Sequence, residues 1–315
     1  MISHENESED STSGGDATIM HHAQVIEMLS FRFRNFLGGL PSTGRLLIAT
    51  VVFLVACSGC SELRNTHERL HSILWIQTSA EYQALTTMTY QRAGETVDRA
   101  LQDRTWTAAL EQTGDFQNLP PAVILDLDET VLDNSPFEGR LIKNHSPFNR
   151  SKWDQWVEEA NAQALPGALK FIAETQRKGA TVFFVTNRRA PHEPSTRKNL
   201  EKLGVTLPTD IDTVLSEGEG PEAWPSDKSS RRRHLASQYR ILLLIGDDLG
   251  DFVSGATDTP DNRRRLAQQY NDRWGTSWFL VPNPIYGSWE LSLYPKGLSD
   301  ADILDSKRTQ VRDRP

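Results

Sequence analysis

The chain has 315 residues, enough for one large domain or two small ones, and its 37% hydrophobic and 24% charged composition is that of a globular protein. A formal charge of −8 argues against a binder of nucleic-acid polymers, which needs a basic face, but leaves room for a small anionic substrate held by a local field. The two cysteines, Cys57 and Cys60, precede everything else of interest, so the body of the chain must be held by its core and not by disulfides.

Residues 1–27 are acidic, rich in Ser and Gly and a poor start for an exported protein, whereas Met28 would begin a better signal. Arg32, Arg34 and Arg45 precede the apolar run Leu46–Ala56, LLIATVVFLVA. Eleven residues are too few to cross a bilayer as a helix but fit the apolar centre of a secretory signal. Leu54-Val55-Ala56-Cys57 resembles a bacterial lipobox. This predicts a signal peptide over 28–56, lipidation of Cys57 and a membrane-anchored tether over 57–78, although residues 61–78 also read as a first helix. Ser58 after the cysteine points to the outer membrane. The competing reading of the run is a buried helix with an incidental cysteine. Residues 57–315 keep 31 basic and 36 acidic side chains, a net charge of −5.

Ser79 is placed to cap a helix through AEYQALTTMTYQRAGETVDRAL, with Tyr82, Leu85, Met88 and Val97 at helical spacing. Four short apolar runs follow, Ala122–Leu125, Thr181–Val185, Ile241–Ile245 and Ser277–Val281. They alternate with helical patterns near 151–163, 167–178, 192–203, 229–239 and 261–273. Strands and helices in alternation predict an α/β fold around a largely parallel sheet, where ligands gather at the carboxyl ends of the strands. The arginine runs Arg231–Arg233 and Arg263–Arg265 read as solvated helix faces.

At those strand ends stand Asp126, Asp128 and Thr130; then Thr186, Asn187 and Arg188; then Asp247, Asp248 and Asp251. Clustered carboxylates need a cation. Oxygen ligands without histidine or cysteine suit Mg²⁺, which also binds substrate phosphate. The Asp-x-Asp spacing lets Asp126 attack phosphorus while Asp128 handles the proton of the leaving oxygen. Thr186 offers a hydroxyl and Lys228 a charge to the remaining phosphate oxygens. A DxD after a strand also occurs as a glycosyltransferase metal site, which would not require the later strand-end motifs.

DLDET at 126–130, FFVTNR, Lys228 and GDDLGD at 246–251 resemble, in order, the four motifs of the haloacid dehalogenase (HAD) superfamily. AVILDLDETVLDNSPF, SKWDQWVEEA, LPGALKFI, VFFVTNRR, IGDDLGDF and VPNPIYGSWE extend the resemblance to the class C acid phosphatases, lipoprotein 5′-nucleotidases. The resemblance implies a HAD-like, Rossmannoid domain over 79–315 with a small, mainly helical cap built from about 79–118 and 133–165. It implies Asp126 as nucleophile and metal ligand, and Asp128 as acid/base and ligand through its backbone carbonyl. Asp247 would complete the ligands of one Mg²⁺, Thr186, Asn187 and Lys228 would hold phosphate, and Asp251 and Thr130 would support the site. Trp153 and Tyr286 would stack on a nucleobase. Asp248 stands where the family often has Asn, and its role is open. A broad acid phosphatase or phosphotransferase, and a binding lipoprotein without turnover, remain as alternatives, and so does a homodimer.

Overall fold

Apolar on both faces, the run Ala122–Leu125 needs cover on two sides, and the fold supplies it. The structure is a computed structural model that describes residues 69–221 and 223–313. The expected signal segment, Cys57 and most of the tether lie outside the described residues.

Pro121–Leu125 (β1) is the middle of a parallel sheet ordered β5-β4-β1-β6-β7. Its companions are β4 (Thr181–Arg189), β5 (Val214–Glu217), β6 (Arg240–Gly246) and β7 (Trp278–Leu280). Val123 pairs in register with Val182 on one side and Leu243 on the other. A two-stranded antiparallel pair, β2 (Leu132–Asp133) and β3 (Gln163–Ala164), stands apart from it. In chain order the helices are α1 (Leu70–Thr78), α2 (Ala80–Gln102), α3 (Ser135–Lys143), α4 (Arg150–Glu159) and α5 (Ala168–Arg177). They continue with α6 (Glu193–Lys202), α7 (Ser229–Ala236), α8 (Pro260–Gln269), α9 (Ser288–Leu291) and α10 (Asp300–Gln310).

Strand alternation divides the core into two halves. Val123, Leu125 and Phe184 pack with Tyr90 and Val97 of α2 and with Phe171 and Ile172 of α5. Ala122, Ile124 and Phe183 pack on the other face with Leu235 of α7, with Leu266 of α8 at its edge. Each large aliphatic or aromatic side chain so buried contributes roughly 1.5–3 kcal/mol. Ser79 caps α2 as the sequence suggests, its hydroxyl accepting from Tyr82 N at 3.1 Å.

Two expected segments take definite secondary structure. The stretch read as a tether to residue 78 forms α1 from Leu70 on, with Ile73 and Ile76 buried and Arg69 bonded to Glu138 at 2.9 Å. In residues 79–118, expected to share in a cap, α2 packs its apolar stripe on the sheet and Ala108 N donates to Ile241 O at 2.8 Å. In the other expected cap stretch, α3 and α4 lie between β2 and β3 in the chain. The sequence patterns also miss β5, whose apolar content is only Val214 and Leu215. Among the described residues no helix is long and apolar enough to cross a membrane.

Candidate active site

Asp126 leaves the sheet while still in register, its N–H donating to Ile245 O at 2.9 Å. The chain then turns sharply. Leu127 O accepts from Val131 N and Leu132 N, both at 2.8 Å, and Glu129 takes a left-handed φ of 59°. Glu129, a carboxylate given no role from sequence, is buried inside the turn and accepts from Asn134 N at 3.0 Å. Burial, then the charges of Asp128 and Asp247, hold its carboxyl well above the usual range.

The two aspartates of the motif have different partners. Asp126 Oδ1 meets the ammonium of Lys228, and its Oδ2 has no protein donor among the described residues. Asp128 is gripped by the buried Arg188, whose Nη2 and Nε donate to Oδ1 at 2.8 and 3.0 Å, and Nε to Oδ2 at 3.2 Å. Asn134 Nδ2 adds a bond to Asp128 Oδ1 at 2.8 Å. The sequence places Arg188 at a strand end without a task, and does not single out Asn134.

Lys228 precedes α7, where a helix-cap reading competes with a site reading. The structure separates them: Asp227 Oδ1 accepts from Ser229 N at 2.8 Å, while Lys228 reaches inward to Asp126 and to Asp251 Oδ1 at 2.6 Å. Burial lowers the lysine's proton affinity, but Asp126 and Asp251 outweigh it and the ammonium is held above its ordinary value. Burial pushes Asp251 up to about 7 against the pull of Lys228. Asp247 is held well above the carboxylate range, by burial first and by Asp126 and Asp251 next. Thr130 Oγ1 and Asn283 Nδ2 orient Asp247, at 3.2 and 2.7 Å. Gly246 is required here, because a Cβ at that position would overlap the Asp251 carboxylate.

Thr186 is fully buried at the edge of this cluster, its Oγ1 accepting from Arg188 N at 3.1 Å, which leaves its own hydrogen to donate elsewhere. Asn187 is exposed beside it, its Oδ1 accepting from Arg231 Nη2 at 2.7 Å. This overturns the solvated-face reading of Arg231 and Arg232. Both are buried. Arg231 also donates to the carbonyls of Thr186 and Pro225, and burial pulls its guanidinium down to about 10. Arg232 donates to Gly250 O and Asp251 O at 3.0 and 3.1 Å and pairs with Glu111. One short helix therefore binds three strand-end loops together.

Trp156 is core, and its Nε1 donates to Asn134 Oδ1 at 2.7 Å. Trp153 is half-buried, edge-on to Phe137 at 5.2 Å, with the Arg188 guanidinium 5.8 Å from its ring. It is thus one side chain away from Asp128. Tyr286 is half-buried against the same core, in a segment bonded to Asp247 and Asp248. Tyr90 of α2, which the sequence does not single out, donates its hydroxyl to Thr130 O at 2.7 Å.

Carboxylate oxygens of Asp126, Asp247 and Asp251 lie within 4.8 Å of one another. Both oxygens of Asp251 are already taken, by Lys228 and by Asp248 N at 2.9 Å, whereas Asp126 Oδ2 is free of protein donors among the described residues. Asp247 likewise has one donor at each oxygen, Thr130 and Asn283, so Asp126 Oδ2 is the uncovered oxygen of the cluster; carboxylate oxygens converging this closely fit a hard divalent cation.

A family model described as HAD superfamily, subfamily IIIB (acid phosphatase), matches residues 56–289. The chain belongs to this family. It is similar to the class C acid phosphatase from Bacillus anthracis, at 31% identity and a TM-score of 0.69, covering 81% of this chain and 100% of that one. A tungstate-bound structure of that phosphatase gives 30% identity and a TM-score of 0.68, over 79% of this chain and 99% of that one. Acid phosphatase 1 of Solanum lycopersicum is 29% identical over 164 residues, 52% of this chain and 57% of that protein. The Stem 28 kDa glycoprotein of Glycine max is 28% identical over 166 residues, 52% and 58% respectively. The chain thus spans less than two thirds of the length of these plant relatives.

Proposed function

We propose that this protein is a metal-dependent phosphomonoesterase working through an aspartyl-phosphate. The observation that carries the reading is the contrast within the motif. Asp126 presents an unencumbered oxygen beside Lys228 and Asp247, and Asp128, two residues on, is held for a different task.

Asp126 attacks phosphorus and the bond from phosphorus to the leaving oxygen breaks, while Asp128 gives that oxygen a proton. Asp128 then takes a proton from water, whose oxygen displaces Asp126 and releases phosphate. Lys228 holds a phosphate oxygen as a point charge, and the free hydrogen of Thr186 is available to another. Mg²⁺, held by Asp126, Asp247 and the backbone carbonyl of Asp128, would neutralise the charge of the phosphoryl group. The relative that binds tungstate, an oxyanion with the tetrahedral shape of phosphate, supports the same substrate class.

Trp153 and Tyr286 extend the reading to nucleoside 5′-monophosphates, since an aromatic face takes any base. Phosphate release from a panel of nucleoside monophosphates, aryl phosphates and ring-free esters, with and without Mg²⁺, tests both levels. Rates highest on nucleotides and silenced by EDTA are expected. Equal rates across the panel would favour a broad acid phosphatase, transfer to added alcohols a phosphotransferase, and no release from any ester would leave a binding protein. Lipid anchoring at Cys57 and an outer-membrane site in the cell envelope belong to the same proposal, on the sequence alone. Cys57→Ser should lose incorporation of labelled fatty acid, and an unlabelled wild-type protein would end that part.

A further inference from the structure

Val281 N donates to Gly246 O at 2.9 Å, so the pairing of β7 with β6 ends one residue before Asp247. The chain beyond it is then tied twice to the loop after β6. Asn283 Nδ2 donates to Asp247 Oδ2 at 2.7 Å, and Asn283 Oδ1 accepts from Ile285 N at 2.9 Å. Five residues on, Ser288 N donates to Asp248 Oδ2 and Ser288 Oγ to Asp248 Oδ1, both at 2.6 Å. Gly287 makes that approach possible, with a φ of +148° and a position where a Cβ would lie 2.9 Å from Asp248 Oδ2. Between the ties sits Tyr286, whose carbonyl accepts from Trp289 Nε1 at 3.1 Å.

Asp248 has three donors on its carboxylate. Its Oδ1 also accepts from Gly250 N at 2.8 Å, and its N–H is held by Asp251 Oδ2 at 2.9 Å. The half-buried carboxylate that the sequence left unassigned is thus engaged at both oxygens by protein donors. It fastens one loop to another.

We propose that Asp248 is a positioning residue for substrate recognition. It clamps the segment Asn283–Ser288, and with it Tyr286, to the loop that carries Asp247, and it thereby sets affinity for the part of the substrate beyond the phosphate. The inference rests on the phosphomonoesterase reading and on Tyr286 meeting the leaving group. Two charge-assisted bonds to one carboxylate are the kind of tie whose loss lets a segment open locally.

The test combines hydrogen exchange with kinetics on wild type, Asp248→Ala and Asp248→Asn. In Asp248→Ala, exchange over residues 283–291 should quicken roughly 10- to 100-fold while peptides of β1 keep their protection. KM for a nucleoside monophosphate should rise about tenfold, with kcat and the KM of glycerol phosphate within about twofold. Asp248→Asn keeps one carbonyl acceptor and should fall between the two. Unchanged exchange overturns the clamp. Faster exchange with an equal loss on both esters, or with no change in either KM, overturns its role in recognition. If the wild type hydrolyses no ester, the activity reading fails, and exchange still decides whether Asp248 is the clamp.

Discussion

Asp126 and Asp128 are chemically identical side chains two positions apart, and their neighbours make them different tools. Lys228 pairs with one oxygen of Asp126 and leaves the other without a protein donor among the described residues. Arg188 and Asn134 fix the direction of Asp128 and engage Oδ2 least, through a single contact at 3.2 Å. The motif itself was legible because three acids after a buried strand have no cheap explanation. Arg188 was visible only as a strand-end charge, since nothing in TNRR says that its fork turns toward Asp128. If that fork aims the acid/base, Arg188→Lys should keep the fold and the charge but lose alignment. A fall in kcat of roughly 10- to 100-fold is expected, with KM little changed. Wild-type turnover in Arg188→Lys would show that Asp128 needs no guanidinium to aim it.

At the scale of elements, α7 is where reading by pattern failed most. Three consecutive arginines on a short helix have the composition of a solvated face, and no periodicity reveals that the helix lies over loops with unpaired carbonyls. Arg231 serves the buried Thr186 O, and also Pro225 O and Asn187 Oδ1 on exposed residues. By contrast, the strands around the site were found within a few residues because each carries a dense apolar run. A cap boundary is not legible at α2, because that helix would be amphipathic whether its stripe met a lid or a sheet. Arg231→Met should therefore lower unfolding stability by about 1–3 kcal/mol, the cost of stranding the one buried acceptor, Thr186 O. Urea denaturation measures it, and a loss below about 1 kcal/mol would mean that the carbonyls find other donors.

For the whole molecule, the cluster at the sheet edge is a stability debt that a cation relieves. Asp126 and Asp251 share the ammonium of Lys228, while burial leaves Asp247 raised and Asp251 at about 7. The ordinary value for both is 3.8, so each folded carboxyl binds its proton more tightly than the unfolded chain does. Such a group contributes stability that is fully present below the unfolded value and is lost as pH rises through the folded one. The metal-free protein should therefore lose stability between about pH 4 and pH 7 and beyond, and melt lower at about pH 8 than at about pH 5. A divalent cation binds the deprotonated cluster, so its benefit should run the other way. At a Mg²⁺ concentration a hundredfold above Kd the gain is about 2.7 kcal/mol where the carboxylates are already ionised. Near pH 5 protons compete and the gain should shrink. Thermal melts of EDTA-treated protein with and without Mg²⁺ at the two pH values decide the matter. An equal rise in Tm at both would mean that the ion binds somewhere other than this buried cluster.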